Sequence, residues 1–333
     1  MAKIQLTYLS GPDIDRLSLT DDEIMTAVEV AVRAQGEGQT VLEPRVHLRP
    51  DPAINGHFNV LRGYVAPLGY AGVKVVGDFV DNYTLGLPSE MALLLLFDPR
   101  TGMPQAVLDA TAITDMRTGA MTALGAKYLA PASPRILGHV GARGTSYWNV
   151  RLLDRLYDFS EIRVHSRRPE SRDAFAERLS RDLRKPVTVT DDWQGAVEGA
   201  DIVVEASRLS RPEPLLKTAW IKPGALVVPY GTMSALELSV VDLARKIVVC
   251  DRGQMRAGHL GALRPHIDHG LVSEASVHAE LGEIVAGRMP GREHEGETIL
   301  YWHRGLSTTD IALGAAMLRK AQTLGLGQVL DYA

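Results

Sequence analysis

One cysteine stands among 333 residues, Cys250, so no intrachain disulfide can form and no thiolate cluster can hold a metal. That usage fits a reducing compartment, and a cytoplasmic location is expected. Charge of one sign is equally scarce. Lys and Arg number 36 against 40 Asp and Glu, a net charge of −4 without any basic block. A slightly acidic chain binds polyanions poorly, so no nucleic-acid partner is expected. Long apolar runs are missing too. The longest covers residues 91–97, far short of the ~20 that span a bilayer, so no membrane partner is expected. It reads instead as a strand buried on both faces. Residues 1–11 lack the basic flank and apolar stretch of a signal peptide.

What is present is an ordinary globular composition, 45% hydrophobic and 23% charged. At roughly 150 residues per domain, the length predicts about two domains. The first third reads as α+β. Residues 4–9 are strand-like, and Thr20 with Glu23 has capping-box spacing before the apolar stripe Ile24, Met25, Val28, Ala31, Val32. A helix over residues 21–35 follows, ended by Gly36 and Gly38. Strands are predicted at 41–48, 58–65, 71–76, 91–97 and 105–109, and helix formers over 112–129 carry the chain into a second domain.

There the rhythm changes to strand, helix, strand: 135–140, 145–157, 161–166, 169–184, 187–190, 193–200 and 201–206, with further strands at 225–230 and 246–250. This argues for a doubly wound parallel sheet. A helix over 308–324 returns to the first domain. The fold class is therefore α/β: a Rossmann-type doubly wound parallel sheet inserted in a discontinuous α+β domain. The expected division is 1–122 plus 308–333 and, between them, 123–307.

The first strand of the alternating region runs into Gly141, Ala142, Arg143, Gly144, Thr145 and Ser146. A dinucleotide fold needs small residues at this place. The turn is tight, the backbone approaches a pyrophosphate, and the helix N-terminus offers free N–H groups to the anion. Arg143 stands where a second glycine is usual, either clamping a phosphate or blocking it; the plain alternative is a strand-to-helix turn without a ligand. The second strand ends at Ser166, Arg167 and Arg168. No carboxylate is there for a ribose 2′-hydroxyl, and the arginines suit a 2′-phosphate, so NADP(H) is favoured over NAD(H). The alternative is a solvated arginine pair at a helix start.

Further stretches carry a family resemblance: Gly72-Val73-Lys74, Gly86-Leu87-Pro88, Leu96-Phe97-Asp98, Thr101-Gly102, Ile113-Thr114, Arg117-Thr118-Gly119-Ala120 and, later, Ala279-Glu280-Leu281-Gly282-Glu283, with Pro290-Gly291 behind. In this order they resemble the ornithine cyclodeaminase/mu-crystallin family. The resemblance implies a homodimer, with the discontinuous domain serving substrate binding and dimerisation and the inserted one binding a nicotinamide nucleotide. It implies that Arg45 and Arg117 bind the substrate carboxylate and that Lys74 is the catalytic residue beside the reacting carbon. It also implies that Thr84, Thr118, Ala206 and Ser207 lie along the cofactor. Arg is the side chain with a fork for a carboxylate, and a lysine of lowered pKa can move the proton that accompanies hydride transfer. No metal is implied, and the His266–His269 spacing is weak support for one.

Three places depart from the family pattern. Where an aspartate is usual, anchoring on Glu237-Leu238 puts Gly231, and Glu205 replaces a Thr or Ser. The loss argues against cyclodeaminase activity, with Tyr230 or Thr232 as possible polar replacements. Trp302, His303 and Arg304 bring bulk and positive charge before the last helix, pointing either to an altered substrate or to an altered dimer or domain contact. The expected activity is an NAD(P)-dependent imine reductase or amino-acid dehydrogenase on a small α-imino or α-amino acid. The alternatives are an ornithine cyclodeaminase-like ammonia lyase and a non-catalytic nucleotide- or ligand-binding homologue.

Overall fold

Strand alternation and two capping boxes build the first unit. The structure is a computed structural model that describes residues 3–51, 53–142, 144–256 and 261–333. Helix Gly11–Leu17 starts on Ser10, and helix Asp21–Gly36 on Thr20, whose Oγ1 accepts from the Glu23 amide at 3.2 Å while Glu23 accepts from the Thr20 amide at 2.7 Å. Each reciprocal cap is worth about 1 kcal/mol. This unit comprises Met1–Arg117 and Gly305–Ala333. Its sheet runs, in spatial order, Gln328–Asp331, Gln5–Leu9, Pro104–Asp109, Glu90–Phe97, Tyr70–Phe79, Gly56–Val65 and Thr40–Leu42, with Val46–Leu48 also paired to Gly56–Val65. The strand expected over 41–48 is two short strands, because Pro44 has no N–H for the ladder.

One face of this sheet is covered by helix Ser307–Leu324, which is buried along most of its length and lies against Asp21–Gly36. Leu94, Leu96, Ala106 and Leu108 point toward the helices and are buried. The opposite face is bare. Met91 is 44% and Leu93 50% exposed, so the 91–97 run is not buried on both faces. Its continuous apolar character hid a strict alternation, one face packed in this chain and the other left open.

The second unit, Thr118–Arg304, contains a wholly parallel sheet. Its order is Thr188–Val189, Glu161–His165, Ile136–Val140, Ile202–Glu205, Leu226–Pro229, Ile299–Trp302, Lys246–Val249 and Ala279–Glu280. From Ile136–Val140 the chain first builds outward on one side and then returns to the other at Ile202–Glu205. That reversal is the topological switch of a doubly wound sheet, at whose carboxyl edge ligands bind. The central strands Ile202–Glu205 and Leu226–Pro229 are buried along their whole length, as strands covered on both faces are, and apolar except for Glu205 at the end of the first. Among the described residues no helix is long and apolar enough to cross a membrane.

Candidate functional site

Alternation along Tyr70–Phe79 sends Gly72, Lys74 and Val76 to the helix-covered face. Lys74 thus lies where an apolar side chain would be routine, only 1% exposed. Its Nζ donates to Asp310 Oδ1 at 2.5 Å and to Thr114 Oγ1 at 3.0 Å. Asp310 stands in the first turn of Ser307–Leu324 and is fully buried; the same Oδ1 accepts from Arg117 Nε at 2.8 Å. Asp310 Oδ2 finds no hydrogen-bond partner among the described residues.

Gly305 binds the group together. Its φ of +70° suits glycine, and a Cβ there would collide with the Arg117 guanidinium. Its carbonyl accepts from Arg45 Nη2 at 3.3 Å. Lys74, Arg45, Arg117 and Asp310 are therefore brought together within the first unit. Burial lowers the Lys74 ammonium to about 8, the charges of Arg117 and Arg45 push the same way, and Asp310 opposes them. Burial would raise Asp310, but the Arg117 and Lys74 charges and their hydrogen bonds outweigh it and hold the carboxyl below its ordinary value.

Asp310 is the residue that sequence reasoning missed. Its signal was an acid set in a helical run of otherwise apolar and small residues. His47 and His57 face each other with ring centroids 5.4 Å apart. Thr84 is exposed, and its hydroxyl donates to the Asp81 carbonyl at 2.7 Å within its own turn.

In the second unit the glycine turn spans the switch point. Gly141 has φ +111°, and a Cβ on it would lie 2.7 Å from the Ala206 carbonyl oxygen. Its amide donates to the His165 carbonyl at 2.9 Å, while the Ala206 amide donates to the Val140 carbonyl at 2.8 Å. Gly141, Ala142, Ser166, Ala206 and Ser207 thus follow directly on three adjacent strand ends. Gly144, also at positive φ, leads through Thr145 into helix Ser146–Tyr157. Thr145 does not cap the helix; its hydroxyl shares a hydrogen bond with the Tyr230 hydroxyl at 2.6 Å. The helix start thus has no side-chain cap, and the buried Ser146 Oγ has no partner among the described residues. Thr118 is buried on helix Thr111–Leu129. Arg167 and Arg168 are exposed beyond strand Glu161–His165. Arg143 lies outside the described residues.

Tyr230 also accepts from Asn149 and stacks on His303 at 4.9 Å between centroids. His303 Nε2 lies 2.9 Å from Thr122 Oγ1, and Trp302 packs in the unit's hydrophobic core, 3% exposed. Trp302 and His303 are thus buried within the second unit, at and just beyond the carboxyl end of strand Ile299–Trp302, and Arg304 is partly exposed. His139 is sealed beneath the turn, and burial lowers it to about 4, so it is neutral. His266 and His269 bond the Glu237 and Pro265 carbonyls.

The two departures at 205 and 231 occupy one place. The Glu205 carboxyl lies directly against the bare Cα of Gly231.

Comparisons with known proteins place the whole chain in one family. The alanine dehydrogenase of Archaeoglobus fulgidus is 30% identical over 99% of each chain. The structure of Thermococcus litoralis Δ1-pyrroline-2-carboxylate reductase in complex with NADH and L-proline superposes with a TM-score of 0.90, at 28% identity, over 97% of this chain and 99% of that one. An archaeal alanine dehydrogenase dimer with bound NAD superposes with a TM-score of 0.91, at 28% identity, over 99% and 100%. The model of the ornithine cyclodeaminase/mu-crystallin family matches residues 8–323, and the chain belongs to that family.

Proposed function

We propose that this chain is a nicotinamide-dependent oxidoreductase acting on a small α-imino or α-amino acid, as an imine reductase or amino-acid dehydrogenase. The observation that carries the reading is the buried Lys74–Asp310–Arg117 group with Arg45 held on Gly305. Three cations against one carboxylate leave a positive surplus that an anionic substrate neutralises. Arg117 and Arg45 offer forked donors to the substrate carboxylate. The substrate nitrogen gains a proton in reduction and loses one in oxidation. Lys74, at about 8, carries a proton that can be given or taken near neutral pH. Asp310 holds Nζ in place and, staying ionised, keeps its own proton out of the exchange.

The second unit fits a dinucleotide. The cradle at Gly141 would be filled by a Cβ, and Ala142, Gly144, Thr145 and Ser146 frame a helix N-terminus without a side-chain cap, whose amides suit a pyrophosphate. A bound nicotinamide would supply hydride transfer; these residues would seat and orient it, with Thr118, Ala206 and Ser207 along its length. Ser166, Arg167 and Arg168 favour NADP(H) over NAD(H), with no acid there to meet a 2′-hydroxyl. A homodimer completes the reading. Val46, Leu48, Met91 and Leu93 stand exposed on the bare sheet face, an apolar surface suited to a second copy of this chain. The buried Cys250, which is in no disulfide, fits a cytoplasmic setting.

The test follows the absorbance of NADPH or NADH with a panel of cyclic and acyclic imino acids. Turnover is expected in wild type and a fall of about 100-fold or more in Lys74→Ala. Silence across the panel, with Lys74→Ala the same as wild type, overturns the reading.

A further inference from the structure

Glu205 closes the central strand Ile202–Glu205 at the carboxyl edge of the parallel sheet and is wholly buried. Its Oε1 accepts from the Ser207 amide at 2.8 Å and from the Ser207 hydroxyl at 2.5 Å. Its Oε2 has no hydrogen-bond partner among the described residues. Across from it, an ideal Cβ on Gly231 would lie 2.8 Å from Oε2 and 2.9 Å from Oε1. Gly231 does not sit at positive φ, so its backbone does not call for glycine. The carboxyl does, since any side chain at 231 would displace it.

Ser207 itself is only half-buried and follows Ala206, the residue against which Gly141 closes. A hydroxyl that spends its proton on Glu205 has only lone pairs left to present at this edge. A buried acid therefore sets the hydrogen-bonding sense of a reachable serine.

We propose that Glu205 is a positioning residue for the cofactor. When ionised it draws the Ser207 proton and makes Ser207 an acceptor for a donor on the nicotinamide–ribose half of the nucleotide. The donor is either a ribose hydroxyl or the carboxamide N–H. The inference rests on the nucleotide reading above and adds to it a group that titrates. Burial raises Glu205 to about 7, offset by the Ser207 hydroxyl and amide and, most weakly, by the Gly231 amide. No titratable or charged side chain is among the groups acting on it. Below that pH the neutral carboxyl no longer claims the serine proton, so affinity falls as pH falls.

Calorimetry with NADH and with ADP-ribose, between about pH 6 and about pH 8, tests this. Wild type should bind NADH up to about tenfold more tightly at the higher pH, while Glu205→Gln and Ser207→Ala show no such dependence. Ser207→Ala, a change at a half-buried edge position, keeps the test open if the buried variant folds poorly. The same dependence with ADP-ribose assigns the donor to the ribose, and dependence with NADH alone assigns it to the carboxamide. A flat wild type, or a Glu205→Gln protein that keeps the wild-type dependence, overturns the proposal while nucleotide binding stands. Absence of binding by NADH, NADPH and ADP-ribose alike removes the nucleotide reading itself, and this inference with it.

Discussion

The Lys74 ammonium and the Asp310 carboxylate meet at 2.5 Å with neither side chain reached by solvent, and the same Asp310 oxygen also holds Arg117. One anion thus serves two buried cations that come from a strand and a helix far apart in sequence. Removing it leaves both uncompensated. Asp310→Asn is expected to destabilise the protein by about 3–5 kcal/mol, read from denaturant unfolding, because breaking a buried ion pair costs far more than an exposed one. A loss below about 1 kcal/mol would mean that water reaches the group.

The same pair sets a pH dependence. Lys74 titrates at about 8, lowered from its ordinary value chiefly by burial. Reduction needs the ammonium to give its proton, so its kcat/KM should be flat below about 8 and fall about tenfold per pH unit above it. Oxidation needs the free amine, so its kcat/KM should rise through the same pH and level off. In Asp310→Asn the carboxylate that favours the charged amine is gone, and both transitions should move to lower pH. Profiles that ignore Lys74→Arg and Asp310→Asn would exclude Lys74 as the proton carrier.

Much of this architecture was legible because it is local. The strand–helix rhythm of residues 135–206 and the glycine turn at Gly141 are written in short windows, and the parallel sheet follows from them. What was not legible depends on distant partners. Strand Gln328–Asp331 forms only because Gln5–Leu9 offers it an antiparallel edge from the other end of the chain. Asp310 has no local sign of its partners, which come from Tyr70–Phe79 and Thr111–Leu129. Glu205 and Gly231 read as two unrelated departures, and only the adjacency of their strands makes them one feature.

Cofactor choice is expected to reside at the end of strand Glu161–His165. Arg167 and Arg168 are exposed, and no acid accompanies them in the Ser166–Arg168 turn. Replacing both with alanine should lower kcat/KM for NADPH by about 10–100-fold and leave NADH nearly unchanged, since two charge-assisted contacts to a phosphate are lost. The NADPH preference of wild type should also weaken with added salt. An equal loss with both cofactors would place the arginines elsewhere than on a 2′-phosphate.

The bare sheet face gives the last expectation. Val75 lies opposite Leu93 and Val73 opposite Leu95, so one side of the sheet presents a row of apolar pairs extended by Val46 and Val60. The helices cover only the other side, and solvent is a poor neighbour for such a surface. Wild type should therefore sediment with the mass of two chains. Leu93→Asp places a carboxylate on each copy at the centre of that contact, where its desolvation is unfavourable, and should sediment as one chain. Because Leu93 is half exposed within a single chain, the variant should keep its circular dichroism spectrum. A wild type of single-chain mass, or a dimer indifferent to Leu93→Asp, would assign the face to another partner.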